Sequence, residues 1–438
     1  MLPSMLARLT APAAVFVVCA GVYVATLGPR IAEPTPDRHF VHLANSYLHG
    51  QLHVVGNKPP TQNDWALYEG RWYVSFPPLP AILIMPAVAI WGTGVWDRLF
   101  WAVFAGLGPL LLLRLLARLR SLGLSERSAR DDLLLTGLFA FGSVYYYASV
   151  QGSVWFAAHV VASVLIAGYL LNALGAHRPA LAGVFLGLSI LTRPPTLLLG
   201  VVFLVEVLAH ARTDVPVSGS APVLAPGRRL LVWLRGVDWP ATTGPLARFS
   251  APVLIAGGVA MALNYARFDD PLAFGHEFLR IRWRARIDRW GLFNYHYLAR
   301  NLAVFLAALP WLSATAPFVK ISRHGLALWF TTPNLLWLLW PRRSSASLWG
   351  LGLGAGLVAG LDLLYQNTGW IQFGYRFSLD YLVVLFAMLA IGGRRFGLGF
   401  HLLMVAAMFF NTFGAVTFDR MHRFYDRDRT QKVIFQPD

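Results

Sequence analysis

The stretch from Gly28 to Trp96 is polar and punctuated by proline, lies between long apolar runs, and carries Asp37, Asp64 and Glu69 among its carboxylates. Asp37 follows Pro34-Thr35-Pro36 and precedes a segment, 38–52, in which apolar Phe40, Leu43, Tyr47 and Leu48 fall on one side at helical spacing. His39, His42, Asn45 and His49 occupy the other side, so the segment reads as an amphipathic helix lying on a membrane surface. Asp37 is then placed either to cap that helix, worth about 1 kcal/mol, or to serve as a base held at the surface. A positioned carboxylate can take the proton of a hydroxyl, and position alone fits both roles. The three histidines lack an i, i+4 pair and read as interfacial rather than metal-binding.

Asp64, Trp65, Tyr68, Glu69, Arg71, Trp72 and Tyr73 mix acids with aromatics. Sugars are held by aromatic faces and carboxylates, but membrane interfaces also collect Trp and Tyr. The aromatics are therefore assigned to the interface, with Asp64 and Glu69 kept as secondary site residues. Arginine grips phosphate oxygens with a planar fork, and Arg193, Arg267 and Arg376 stand at expected outer helix ends. Arg376 lies between Tyr375 and Phe377 with Asp380 one helical turn on, which suits a phosphate ligand or an Arg–Asp structural pair. The run Arg280, Arg282, Arg284, Arg286, Arg289 alternates with Ile281, Trp283, Ala285 and Ile287, and would put four arginines on one side if extended. A bound phosphate and anionic lipid headgroups are equal readings of that run. Glu206 and Asp362 fall in or near apolar runs, where an ionisable group is functional by default, although Glu206 is near enough to the cytoplasmic end to reach water.

Positioning these residues falls to membrane helices. Charged residues make up 13% of the chain, about half the usual share of roughly 25%, and apolar runs of bilayer length recur. The runs show no period-2 alternation, which excludes a β-barrel. The fold class is all-α, a polytopic membrane protein with about eleven transmembrane helices and outer-face juxtamembrane helices. Crossings are expected at 11–27, 98–117, 133–149, 155–174, 179–193, 195–211, 249–266, 324–341, 347–364, 378–393 and 396–415, with surface helices at 79–91 and 301–313. The net charge of +16 is assigned to basic flanks meeting anionic lipid rather than to nucleic acid. Arg114, Arg118, Arg120, Arg127 and Arg130, with the pairs Arg342-Arg343 and Arg394-Arg395, are placed in the cytoplasm. Cys19 lies in the first apolar run, read as an uncleaved anchor, and permits no internal disulfide. The chain divides into an N-terminal membrane module, 1–211, whose outer loop 29–97 carries the site, a Pro/Gly/Ser-rich cytoplasmic linker, 212–248, and a C-terminal module, 249–438. The last includes an outer segment, 267–323, and an outer tail, 419–438.

An anchor helix comes first, then Pro-x-x-Asp (Pro34, Asp37) leading into an amphipathic helix with Ala44, Leu48 and Gly50, then Pro77-Pro78-Leu79 with an apolar surface helix. Leu191-Thr192-Arg193-Pro194, Asn264-Tyr265-Ala266-Arg267-Phe268 with Phe274-Gly275, and Gln372-Phe373-Gly374-Tyr375-Arg376-Phe377-Ser378-Leu379-Asp380 follow. In this order the motifs resemble the GT-C glycosyltransferases, in particular the bacterial protein O-mannosyltransferase-like and aminoarabinose-transferase-like membrane enzymes, over most of the chain. The resemblance implies transfer of a sugar from a polyprenyl-phosphate donor to a glycan, lipid or protein acceptor, on the outer side of a bacterial inner membrane. It matches Asp37 to the family's first-loop catalytic aspartate. The chain departs in having Arg38 after that aspartate, and Gln151-Gly152-Ser153-Val154-Trp155, with His159 a turn on, where some relatives carry a second acid. Such a displacement needs one base and a stabilised leaving phosphate. Asp37 is the expected base of an inverting transfer. The expected substrate-binding residues are Arg193, Arg376, His159, Tyr375, Asp64, Glu69, Arg267, Arg280 and Arg284. No cofactor is required; a divalent metal is compatible with the chemistry but not predicted. The alternative is a transporter or flippase for lipid-linked sugars, which would place ionisable groups near the midplane between repeats; no convincing repeat is found, and the polar residues gather at outer helix ends. A non-catalytic assembly subunit would leave the large outer segments unexplained.

Overall fold

The computed structural model describes residues 2–59, 61, 63–213 and 233–425, with side chains from residue 11 onward. Helices dominate because apolar chain in lipid satisfies its backbone only within a helix or a closed barrel. Among the described residues, six helical segments are long and apolar enough to cross a bilayer: Ala11–Ala32, Asp97–Ser121, Val154–Ala176, Trp239–Phe268, Ala346–Leu363 and Leu398–Thr417. Pro179–Ile190, Pro194–His210 and Leu382–Ile391 are shorter apolar helices. Val154–Ala176 is the hub: 89% of its apolar window is buried by neighbours, against 11% for Trp239–Phe268, which therefore faces outward. That outer helix crosses Pro179–Ile190 closely. A Cβ on Gly183 would come within 2.1 Å of the Phe249 carbonyl oxygen, so the small residue is what lets the two backbones meet.

Several expected crossings are broken. The 133–149 run is two helices, Ala129–Phe141 and Val144–Ser149, restarted by Ser143, whose hydroxyl accepts from the Tyr145 amide. The 324–341 run holds only the short helix Leu328–Thr331 and a 3-10 segment, Pro333–Leu339, because a proline within the run denies the helix a backbone donor. The 378–393 run is a 3-10 turn, Arg376–Asp380, followed by the helix Leu382–Ile391. Helix Trp239–Phe268 begins inside the expected linker, capped by Asp238, whose carboxylate accepts from the Ala241 amide. The 214–232 portion of that linker, and the tail after Tyr425, lie outside the described residues.

The surface helices are observed close to the expected positions, at His39–Leu48, Leu79–Trp91 and Leu298–Ala307. The Asp64–Tyr73 stretch is a β-hairpin rather than a plain aromatic belt. Strands Trp65–Tyr68 and Arg71–Val74 pair antiparallel, with Glu69 (φ 46°) and Gly70 (φ 74°) at the turn, the paired left-handed geometry that suits strand twist.

At one end of the helices the polar segments assemble. Ala66 bridges Leu279, Phe293 bridges Tyr365 and Leu326 bridges Gly374. The Arg280 amide donates to the Trp65 carbonyl and the Ile321 amide to the Phe424 carbonyl, while Arg30 pairs with Asp419 at 3.1 Å. At the other end Arg127 donates to the Leu389 and Arg394 carbonyls and the Arg342 amide to the Gly392 carbonyl. The three basic segments expected to share a side thus meet one another.

Candidate active site

Asp37 is held by its neighbours rather than by its own side chain. The buried carboxylate of Asp97 accepts from the Thr35 amide at 2.9 Å and from the Thr35 hydroxyl, and pairs with Arg38 at 3.7 Å. The Asp37 carbonyl accepts from the Val154 amide at 3.0 Å, tying the loop to the start of the hub helix. The expected capping role is absent: Arg38 is the N-cap residue of His39–Leu48, with no side-chain cap bond. His39 is also not interfacial. It is buried, stacked 4.2 Å from the Trp65 ring, with Nε2 against the Asn63 carbonyl. Burial pushes His39 down to about 4, so it is a neutral packing residue between loop and hairpin.

Freed from capping, the half-buried Asp37 carboxylate lines a cavity of ≈ 1260 Å³ at the polar end of the helices. Burial first, then the charges of Asp64 and Asp419, raise it to about 6. A carboxylate so tuned is ionised at neutral pH yet basic enough to take a proton. Asp64 (φ 57°) stands at the entry to the hairpin, where its Oδ2 accepts from Trp155 Nε1 at 2.8 Å.

The arginines form the opposing charge. Arg193 ends the Pro179–Ile190 segment and meets Asp380 through Nε (3.2 Å to Oδ1, 3.0 Å to Oδ2) and Nη2 (2.7 Å to Oδ2). Asp380, wholly buried, also accepts from His159 Nδ1 at 2.9 Å, which leaves His159 Nε2 as the ring nitrogen available to the cavity. The Arg–Asp pair anticipated for Arg376 is therefore made by Arg193 instead. Arg376, 4% exposed, donates from Nη1 to the Ile371 carbonyl at 2.9 Å, and its Nε has no hydrogen-bond partner among the described residues. Burial pushes it down to about 10, still a cation at neutral pH.

Asp37, Asp64, His159, Arg193, Arg280, Arg284 and Arg376 all line this cavity. Tyr375, Glu69 and Arg267 do not. Tyr375 is buried beneath the site against Phe305 and Phe377. Glu69 is exposed at the hairpin tip. Arg267 spends its guanidinium on the Leu263 and Val74 carbonyls and the Asn264 side chain, stapling the hairpin to the end of helix Trp239–Phe268. The arginine run is not extended. Arg280, Arg282 and Arg284 reach the cavity through a turn that becomes the helix Arg284–Trp290, whereas Arg286 turns inward to the Gln366 carbonyl.

Sequence reasoning passed over several lining residues. Arg98 lines the cavity, and the carboxylate of its sequence neighbour Asp97 is used by Thr35 and Arg38. His276 lines the cavity, with burial, Arg193 and Arg267 lowering it to about 4. Its one sequence signal is Gly275, where a Cβ would meet Ser75 Cα at 2.7 Å. Asp419, assigned to an outer tail, returns to the cavity wall. Among the described residues no group of three or more His, Cys, Asp or Glu side chains is placed to hold a metal ion.

No family model and no curated protein matches the chain. Among solved structures, the chain is similar to the apo oligosaccharyltransferase of Archaeoglobus fulgidus, at 14% identity and TM-score 0.47, over 95% of this chain and 57% of that one. It is similar also to AglB of the same organism in complex with an inhibitory peptide and a dolichol-phosphate, at 14% identity and TM-score 0.46, over 95% and 56% of the two chains. ArnT from Cupriavidus metallidurans bound to undecaprenyl phosphate matches at 15% identity and TM-score 0.45, over 86% and 59%. The chain spans between half and two thirds of the length of these proteins.

Proposed function

We propose that this cavity transfers a sugar from a polyprenyl-phosphate donor to an acceptor hydroxyl, with inversion, on the non-cytoplasmic face of a bacterial inner membrane. One observation carries the reading. A carboxylate raised to about 6 and a nearly buried guanidinium line the same cavity at the membrane-surface end of a polytopic helical protein. Asp37 takes the proton from the acceptor hydroxyl as that oxygen attacks the anomeric carbon. The bond from that carbon to the phosphate oxygen breaks, its electron pair stays on the phosphate, and the carrier leaves as polyprenyl phosphate. Arg376 and Arg193 stabilise the growing phosphate charge with donors already in place, so no reorganisation is needed in the transition state. Asp380 fixes Arg193 and, through Nδ1, the ring of His159 in the cavity wall. Transport is the weaker reading, since the polar groups collect at one end of the helices rather than at the midplane.

The experiment is direct binding of undecaprenyl phosphate to the full chain in phosphatidylcholine nanodiscs. Arg376→Met should weaken binding about tenfold or more, the worth of one charge-assisted hydrogen bond. Wild-type protein that shows no saturable binding of this lipid would overturn the reading.

A further inference from the structure

Two nearly buried side chains on the Asp37 side of the cavity hold donors that nothing among the described residues accepts. Arg98, 5% exposed, opens the helix Asp97–Ala105, and Gln151, 3% exposed, lies just before the hub helix; both line the cavity. Nε and Nη1 of Arg98 and Nε2 of Gln151 are shielded from water and have no hydrogen-bond partner among the described residues. The nearest acid in sequence, Asp97, is committed to Thr35 and Arg38. Gly152 locks the pair together: its φ is +76°, and a Cβ there would lie 2.9 Å from Arg98 Cα and 3.0 Å from Arg98 Cγ. Ser153, also on the wall, makes no side-chain cap bond to the helix it precedes.

This donor set is made of different residues from the one assigned to the leaving phosphate, and they are held differently. Arg193 and Arg376 each lie 5.6 Å from the Phe377 ring centroid, with Arg376 also 5.3 Å from that of Phe156, whereas Arg98 packs on Gly152 beside Thr35. Burying guanidinium donors without hydrogen-bond partners is costly, and a cluster of such donors fits an oxyanion. We propose that Arg98, Gln151 and Ser153 form a second oxyanion subsite, so that the reacting pair brings two anionic groups into the cavity. One is the phosphate that leaves with the carrier, at Arg193 and Arg376. The other is a second phosphate or a like oxyanion, at Arg98. This rests on the phosphate-lipid reading above and deepens it. The second anion comes either from a diphosphate-linked carrier or from an anionic group on the acceptor.

The test uses the full chain in phosphatidylcholine nanodiscs, with undecaprenyl phosphate, undecaprenyl diphosphate and mannose 6-phosphate as probes. A carrier source predicts that the diphosphate lipid binds about tenfold or more tightly than the monophosphate. Arg98→Met then removes that advantage and leaves monophosphate binding within about twofold, because Arg376 and Arg193 are untouched. An acceptor source predicts equal binding of the two lipids, and mannose 6-phosphate binding that Arg98→Met abolishes. Gln151→Leu, which removes one uncharged donor, should weaken the same ligand about threefold, and this carries the test should Arg98→Met not fold. The subsite is refuted if these variants leave all three probes unchanged, or weaken both lipids equally. Failure of wild-type protein to bind either lipid would instead remove the phosphate-lipid reading beneath it.

Discussion

Replacing Asp380 with asparagine separates what holds the site together from what reacts in it. Asp380 is fully buried and receives three contacts from Arg193 and one from His159, at 2.7 to 3.2 Å. Asparagine keeps one accepting oxygen and turns the other into a donor that faces donors. The Arg193 charge then loses its buried partner. Breaking one side of such a pair costs about 3–5 kcal/mol. The Arg193 side chain is 21% exposed, so water recovers part of the loss, and about 3 kcal/mol is expected. Equilibrium unfolding in mixed micelles, followed by tryptophan fluorescence, reads this as a lower denaturant midpoint. The double variant Arg193→Met with Asp380→Leu removes both charges. It should unfold within about 1–2 kcal/mol of wild type, yet bind undecaprenyl phosphate poorly because the phosphate ligand is gone. An unchanged midpoint for Asp380→Asn, or a double variant less stable than the single one, would refute the reasoning.

Asp97→Asn should loosen the loop that carries Asp37, lowering kcat about tenfold while carrier affinity stays within about twofold, a split that steady-state kinetics resolves. The transfer rate should rise with pH through a midpoint near 6, because Asp37 must be ionised to accept a proton. Asp64→Asn removes a negative charge that raises Asp37, so the midpoint should move to lower pH and activity persist further into acid; single-turnover rates across that range check the sign. Gly152→Ala forces a side chain into a left-handed backbone position and against Arg98. A loss of about 1–3 kcal/mol should appear as a lower melting temperature.

Long-period patterns were the legible part of this chain. Apolar runs of bilayer length marked the helical segments, and the switch to amphipathic spacing after Asp37 located the surface helix His39–Leu48. The motif order that resembles GT-C enzymes singled out Asp37, Arg193 and Arg376, which the fold brings to one cavity. What pattern could not supply was the partner of each charge. Asp380 is one turn from Arg376 in sequence yet bonds Arg193, 187 positions away, since a 3-10 turn rather than a helix carries it. Asp97 precedes Arg98 yet neutralises the Thr35–Arg38 loop. Glu69 and Arg267 have suitable chemistry but are placed by a hairpin turn and a helix end whose contacts are long-range. The alternating arginine run would put four arginines on one side if extended, but it forms a turn and a helix in which Arg286 donates to the Gln366 carbonyl.

The most direct measurement of the central claim compares carrier binding with sugar transfer in Asp37→Asn, using the sugar-charged carrier identified by native mass spectrometry on purified wild-type protein. Carrier affinity should stay within about twofold while transfer falls by roughly 10²–10⁴, the contribution of a general base. Transfer at the wild-type rate in that variant would contradict the assignment of Asp37.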